Sequence, residues 1–376
     1  MLPRRAILSL PAAVLSESPC DAWPLWPAAA RRLITPEGRV LDFSSGNRTT
    51  SEGQAYCLFF SLITNDQTRF GRILQWTRNH LAGGDLAANL PAWLFGAPAA
   101  GVPPSILDAN SAADADLWIA YTLLQAGRHW RQPRYEELGL SLVRRIAASE
   151  VASVPGFGPL LLPAPQGFRP GEDILQFNPS YVPLQLITAF AAVDPRGPWA
   201  EMARTLPAFI EASAPHGFAL DWLAHHAGEG FAREPVPSPP PVCGFEAIRV
   251  YLWAGMLHTG TPGRARILRA LHGPARLLRA GRGLPARVTP EGVALEDHEP
   301  LGYSAALLPY LHALDERPVF DRLQTQVQAR FAPQSSSWRA ARYYDLCLAL
   351  FALGWTTQRY RFAPDGNLRL KDTPIC

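Results

Sequence analysis

Apolar residues recur at helical spacing along almost the whole chain, and proline-rich connectors cut that pattern into separate pieces. Residues 70–81 carry Phe70, Ile73, Leu74, Trp76 and Leu81 at such intervals. Residues 117–126 carry Leu117, Ile119, Ala120, Leu123 and Leu124. Residues 138–148, 181–192, 199–212, 247–257, 265–271 and 343–353 read the same way, as amphipathic or buried helices. Ala, Leu and Arg, all good helix formers, fill them. Strand-like alternation is scarce. The 37 prolines gather in connectors such as 94–104, 154–171, 233–244 and 281–292, where they stop helices. None of these connectors is long or polar enough to be a flexible linker between domains. Roughly a dozen helices in one unbroken domain fit paired helices closing into an α/α toroid, an all-α architecture. The loops at one end of such a scaffold would build the site.

Bulk composition narrows the function. The chain has 376 residues, within the range of large single-domain toroids. A hydrophobic share of 48% and a charged share of 18% suit a globular protein with a sizeable core. Net charge is only +3, and the arginines are scattered (Lys371 is the sole lysine), so no basic stripe for nucleic acid is expected. The longest apolar run, residues 346–355, falls short of the ~20 residues that span a bilayer. At the start, Arg4-Arg5 precedes the short apolar run 6–15, the layout of a secretory signal. Residues 1–19 are therefore read as a signal or N-terminal segment, residues 20–376 as the domain, and the location as periplasmic or secreted. Of the five cysteines, Cys57 and Cys347 lie in apolar helical patterns and are read as core. Cys20 and Cys376 bracket the chain. They are either a clip between the two ends, stabilising by a few kcal/mol, or two unpaired thiols.

Three acidic clusters carry the candidate chemistry. In Thr49-Thr50-Ser51-Glu52-Gly53-Gln54-Ala55-Tyr56, Glu52 reads as the far end of a capping box begun by Thr49, with Ser51 and Gln54 as a second box. The alternative reading is a general acid, which needs Tyr56, Phe59 and Phe60 to wall it in and raise its pKa. In Asn110-Ser111-Ala112-Ala113-Asp114-Ala115-Asp116-Leu117-Trp118, Asp114 and Asp116 suit the first turn of a helix, or a grip on sugar hydroxyls. Glu246 and Arg249 stand at i,i+3 spacing, a surface ion pair worth a few tenths of a kcal/mol or part of a site. Trp93, Trp118, Trp130, Tyr181, Trp222, Tyr251 and Trp253 cluster near these acids. Trp at helical spacing reads as core; Trp93, in the loop Pro91-Ala92-Trp93-Leu94-Phe95-Gly96, is the better platform for a pyranose face. No phosphate loop, dinucleotide fingerprint, H-E-x-x-H or C-x-x-C pair occurs, so neither cofactor nor metal is expected. The adjacent pair His225-His226 does not face one way on a helix.

These motifs, in this order, resemble glycoside hydrolase family 8, closest to members made alongside bacterial cellulose synthase. Ala247-Ile248-Arg249-Val250-Tyr251-Leu252-Trp253, Leu90-Pro91-Ala92-Trp93-Leu94, Phe177-Asn178-Pro179-Ser180-Tyr181, Asp221-Trp222 and Tyr303-Ser304-Ala305-Ala306 extend the likeness from about Cys20 to the C-terminus. The resemblance implies an (α/α)6 barrel and inverting hydrolysis of β-1,4-glucan such as cellulose or cello-oligosaccharides. It implies Glu52 as general acid, Asp114 as the acid that holds the sugar at the cleavage point, and Tyr181 and Arg249 as lining of that subsite. Trp93, Trp118 and Asp116 complete the expected groove. A Cys20–Cys376 disulfide, a monomer, and the cellulose synthase complex as partner are further expectations from the resemblance. Three departures stand out. Phe245-Glu246 replaces Tyr-Asp at the family's general base, Cys57 replaces Gly, and Ala113 replaces Ser or Thr. Glu246 is expected to serve as base, with Asp114 and Glu234 as alternatives. A glucan-binding accessory protein, or an enzyme on xylan, chitosan or mixed-linkage glucan, are the competing expectations.

Overall fold

A computed structural model describes residues 23–232, 242–244, 246–296 and 298–371. The expected signal segment, Cys20, Cys376, Glu234 and Phe245 lie outside the described residues. Fourteen α-helices are found among those residues. Six of them form a closed inner ring: α2 (Ser51–Ile63), α4 (Ala113–Trp130), α6 (Leu184–Val193), α8 (Ile248–Met256), α11 (Leu301–Ala313) and α14 (Tyr343–Thr356). Each packs on the next in that order, and α14 packs back on α2. Outside them run α3 (Gln67–Leu81) on α2, α5 (Pro133–Ser149) on α4, α7 (Trp199–Ser213) on α6, α9 (Arg264–Ala270) on α8 and α12 (Arg317–Arg330) on α11. The first helix, α1 (Leu25–Leu33), supplies the outer partner of α14. The short α10 (Gly273–Arg279) and α13 (Ser336–Ala340) sit between these pairs in sequence. Six inner-outer pairs closing on themselves make an (α/α)6 barrel.

Burial explains which helix goes where. In α2 every residue from Gly53 to Ile63 is buried, as an inner helix covered on all sides requires. Its outer partner α3 buries only Phe70, Ile73, Trp76, Thr77 and Leu81, a single stripe at helical spacing. The centre of the ring is filled by an aromatic plug around Phe351 of α14. Tyr56, Phe59 and Phe60 from α2, Trp118 from α4 and Trp253 from α8 bring their rings to 4.8–5.5 Å from it. The edge-to-face pairs among them, made by Tyr56, Phe60 and Trp253, add about 0.5–1.5 kcal/mol each beyond area burial. Gly255 is needed where α8 meets α11: a Cβ there would stand 2.2 Å from the Tyr310 backbone nitrogen.

Short strands, which periodicity did not foresee, stitch the connectors. β1 (Thr49–Thr50) pairs antiparallel with β2 (Leu94–Gly96), and β2 with β3 (Ser105–Asp108). β4 (Val151–Val154) pairs with β5 (Gly158–Leu161). β6 (Ile174–Phe177), β7 (Leu223–His226) and β8 (Gly230–Ala232) form a third sheet, and β9 (Tyr360–Phe362) pairs with β10 (Leu368–Leu370). Among the described residues no helix is long and apolar enough to cross a membrane.

Candidate active site

Because inner helices alternate with outer ones running back, the N-termini of the inner helices share one end of the barrel. Glu52, Asp114, Arg249 and the Tyr343-Tyr344 pair all sit in the first turns of inner helices, and Glu246 lies just before α8. These helix ends carry partial positive charge and favour carboxylates. The cleft they line has a volume of about 270 Å³, with Trp93, Tyr181, Tyr343 and Tyr344 as its aromatic walls.

Local sequence fixes the acid's position. The cap of α2 is Thr50, whose hydroxyl accepts from Gly53 N at 3.1 Å. Thr49 is instead held by Arg39 Nε at 2.8 Å and donates to Val40 O at 2.8 Å. The expected Thr49–Glu52 capping box is therefore absent. Gln54 does not close the second box either; its side chain is buried, accepting from Val40 N and donating to Thr77. Freed from capping, Glu52 turns into the cleft with 20% of its side chain exposed. Trp93 is tied to the two segments that carry Glu52 and Asp114: its carbonyl accepts from Ser51 N at 3.0 Å, and its N–H donates to Asn110 O at 2.8 Å. Gly53 leaves room for Tyr343, whose hydroxyl would lie 2.6 Å from a Cβ at that position.

Arg249 is the hub. Its side chain is only 3% exposed. Nη1 donates to Glu52 Oε2 at 2.5 Å, to Asp114 Oδ2 at 2.6 Å and to Tyr56 Oη at 3.0 Å. Nη2 donates to Glu246 Oε2 at 3.0 Å and to Ser180 Oγ at 3.1 Å. The i,i+3 pair expected on a surface is thus a buried junction of three acids. The guanidinium carbon also lies 5.4 Å from the Tyr181 ring centre and 5.8 Å from that of Tyr344. A guanidinium spaces its terminal nitrogens ~2.3 Å apart, so these oxygens of Glu52 and Glu246 stand within about 8 Å of each other.

Glu246 is the more open acid, with 39% of its side chain exposed. Asn178 Nδ2 donates to its Oε2 at 3.2 Å. Asn178 in turn accepts from Ser180 N and Ser180 Oγ, closing a small polar network. The turn that carries Glu246 is cradled by Asp221, whose Oδ1 accepts from Gly244 N and Ala247 N, both at 2.9 Å. Asp114 accepts from Ala115 N at 2.8 Å in addition to Arg249; its helix has Ala112 as an uncapped start, so neither Ser111 nor Asp114 is the cap.

Two residues expected in the groove are not there. Trp118 has no exposed surface: Phe59 and Trp253 pack on it, at ring separations of 4.8 and 5.2 Å, and no sugar face can reach it. Asp116 is also fully buried, behind the cleft beside Glu150, which accepts from Ser111 Oγ at 2.5 Å. Phe59 and Phe60 belong to the plug beneath the site and do not wall in Glu52. Conversely, Tyr343 and Tyr344 were not singled out, and Asn178, Ser180 and Asp221 stood in the matching stretches without a role. The tyrosine pair stands at a helix mouth just before an apolar run, the same pattern that drew attention to Glu52.

Burial, reinforced by Asp114 and Glu246 and opposed by Arg249, pushes the Glu52 carboxyl up to about 8. Burial also raises Asp114, against Arg249 and the Ala115 N–H. It pushes Glu150 up to about 8, opposed by Ser111 and Asp116, and Asp221 up to about 6, opposed by the Ala247 and Gly244 N–H groups. A carboxyl whose folded pKa exceeds its unfolded value near 4.3 stabilises the fold below that value and loses this contribution as pH rises through the folded pKa. Thermal melts should therefore show the midpoint falling steadily between about pH 4.5 and pH 8. A midpoint that rises across this window would contradict the burial assigned to these acids.

The model of glycosyl hydrolases family 8 matches residues 2–358. The chain belongs to glycosyl hydrolase family 8. It is 45% identical over 371 residues to an endoglucanase of Xanthomonas axonopodis pv. citri (strain 306), covering 98% of this chain and 94% of that protein. It is 38% identical to an endoglucanase of Escherichia coli (strain K12), covering 95% of this chain and 93% of the relative. The crystal structure of an endo-1,4-D-glucanase from Vibrio fischeri ES114 superposes with a TM-score of 0.86 at 39% identity, over 93% of this chain and 99% of that one. The protein is thus a glycoside hydrolase of the endoglucanase type, built on the barrel described above.

Proposed function

We propose that this hydrolase is an inverting endo-β-1,4-glucanase in which Glu52 is the general acid and Glu246 the general base. The observation that carries the reading is the convergence of three acids on Arg249 at the floor of an aromatic-walled cleft. Glu52, held protonated at neutral pH, gives its proton to the leaving glycosidic oxygen. Glu246 takes a proton from the attacking water on the opposite face of the sugar. The two carboxyls hang from the two terminal nitrogens of Arg249 and face one cleft, and inversion needs such a pair roughly 6.5–9.5 Å apart to leave room for that water. Asp114, fixed by Ala115 N and Arg249, grips hydroxyls of the sugar at the cleavage point. Trp93 and Tyr181 offer the apolar ring faces on which the glucan stacks.

Glu for Asp at the base adds one methylene, on the order of 1.5 Å of reach. The partially exposed Glu246 uses that reach to lie against Arg249 and Asn178. Reducing-sugar release from carboxymethylcellulose tests its role. Glu246→Gln should lower the rate by about 10²–10⁴-fold. Glu246→Asp keeps a carboxylate in shifted register and should fall between that variant and the wild type, since a 1 Å misplacement can cost about a hundredfold. Wild-type activity in Glu246→Gln would move the base to another acid, with Asp114 and Glu234 the next to test.

Export to the periplasm and action on nascent cellulose beside its synthase complete the reading. They are supported by the Arg4-Arg5 and apolar 6–15 layout and by the kinship with endoglucanases. Cell fractionation with an antibody to the domain checks the first: finding the protein only in the cytoplasm would reject it.

A further inference from the structure

At the opposite end of the barrel, where α8, α11 and α14 finish, lies a cavity of about 820 Å³. Arg264, Arg361 and Arg369 line it together with His258 and His312, and Trp355 and Phe362 supply an apolar wall. No carboxylate lines it among the described residues, and none of the three arginines forms an ion pair with a described residue. Part of this charge answers the carbonyls at the helix ends. Arg264 donates to Leu257 O at 3.2 Å and to Ala313 O at 3.4 Å, and Arg361 donates to Trp355 O and, at 3.0 Å, to Tyr360 O. Those bonds take one nitrogen of Arg361, whose guanidinium carbon also lies 4.0 Å from the Trp355 ring centre, and two of Arg264, and nothing at Arg369.

A second, independent observation concerns the hairpin of β9 and β10. Arg361 and Arg369 are direct cross-strand partners in its register. Like charges directly opposite in an antiparallel pair are destabilising. Burial opposes the charge on Arg361 and on Arg264, and the local field pushes the neighbouring His312 down: burial first, then Arg317, Arg361 and Arg264, against Asp315. Partly buried cations are ordinarily paired. Here two partly buried guanidiniums, Arg264 and Arg361, and the exposed Arg369 line one open volume with no carboxylate among its described residues. That volume lies within the ~300–1,000 Å³ of ligand pockets.

We propose that this cavity is a binding site for a phosphate-bearing ligand, its phosphoryl oxygens bridging Arg361 and Arg369 with Arg264 behind. Arginine forks match phosphate geometry in paired hydrogen bonds, and a phosphate monoester has oxygens enough for all three. The site stands at the far end of the barrel from the cleft and does not depend on the substrate assigned there.

Titration calorimetry with sodium pyrophosphate at low ionic strength tests it. The expected result is a saturable one-site isotherm that weakens about tenfold or more in Arg361→Gln and in Arg369→Gln, as loss of a charge-assisted bond implies. Release of reducing sugar from carboxymethylcellulose should stay at the wild-type level in both. Arg369 is exposed, and its replacement relieves the cross-strand repulsion. Without pyrophosphate, Arg369→Gln should therefore melt at or above the wild-type temperature, and pyrophosphate should raise the wild-type midpoint only. Cosedimentation with phosphatidic acid vesicles, against phosphatidylcholine vesicles, identifies the source. Binding to the former points to a lipid headgroup, and pyrophosphate binding without it points to a soluble phosphate ester. Absence of saturable heat, or heat unchanged in both variants, would overturn the proposal.

Discussion

Glu52→Gln is expected to cut turnover of soluble cellulose derivatives by about 10²–10⁴-fold while cellohexaose still binds. Gln keeps the shape of the side chain and its reach to Arg249 but has no acidic proton to give. The loss should therefore appear in kcat, and calorimetry should show cellohexaose affinity retained. The wild-type pH profile gives the companion result. A general acid works only while protonated, so kcat/KM should be sustained up to, and fall about tenfold per unit above, a pH of about 8. Equally negligible turnover by wild type and Glu52→Gln, with cellohexaose bound by both, would reduce the protein to a glucan binder.

The largest effect on stability is expected at Arg249. It is buried, and it touches Glu52, Asp114, Glu246, Tyr56 and Ser180 at once. Removing one partner of a buried ionic network leaves uncompensated charge, at a cost of about 3–5 kcal/mol. Arg249→Met should show that loss as a shift of the urea midpoint at pH 8, together with loss of hydrolysis. At pH 5 the loss should be smaller, because Glu52, raised by burial to about 8, then holds its proton and needs no counter-charge. Arg249→Lys should rescue little: a single ammonium cannot reproduce the planar fork that spans Glu52 and Glu246. An equal midpoint shift at both pH values would argue against the ionic origin of the effect.

The helical architecture was legible because outer helices such as α3 and inner ones such as α4 leave periodic apolar marks. α11 was not read as a helix: it is buried on nearly every side and carries little periodicity. α12 was missed for the opposite reason, since it buries only Val319, Phe320, Leu323 and Val327. The strands escaped because pairs such as Thr50 with Leu94 are set by distant partners rather than by local pattern. In the site, the helix mouths holding Glu52 and Asp114 were visible as acids before apolar runs. Burial was not visible, and burial decides most of the rest. It converts Arg249 from one half of a surface pair into the hub, and it takes Trp118 and Asp116 out of the groove. Thr50 replaces Thr49 as cap because Arg39 and Val40, remote from the motif, claim the Thr49 hydroxyl.

The account stands on two carboxyls acting from opposite faces of the glucan with a water beside Glu246. Proton NMR of cellohexaose digestion in the first minutes, before mutarotation, reads this directly. Inversion predicts that the new reducing ends appear first as the α-anomer and that Glu246→Gln suppresses that signal. The β-anomer appearing first would mean retention, with Glu246 acting as nucleophile or not at all, and would contradict the assignment.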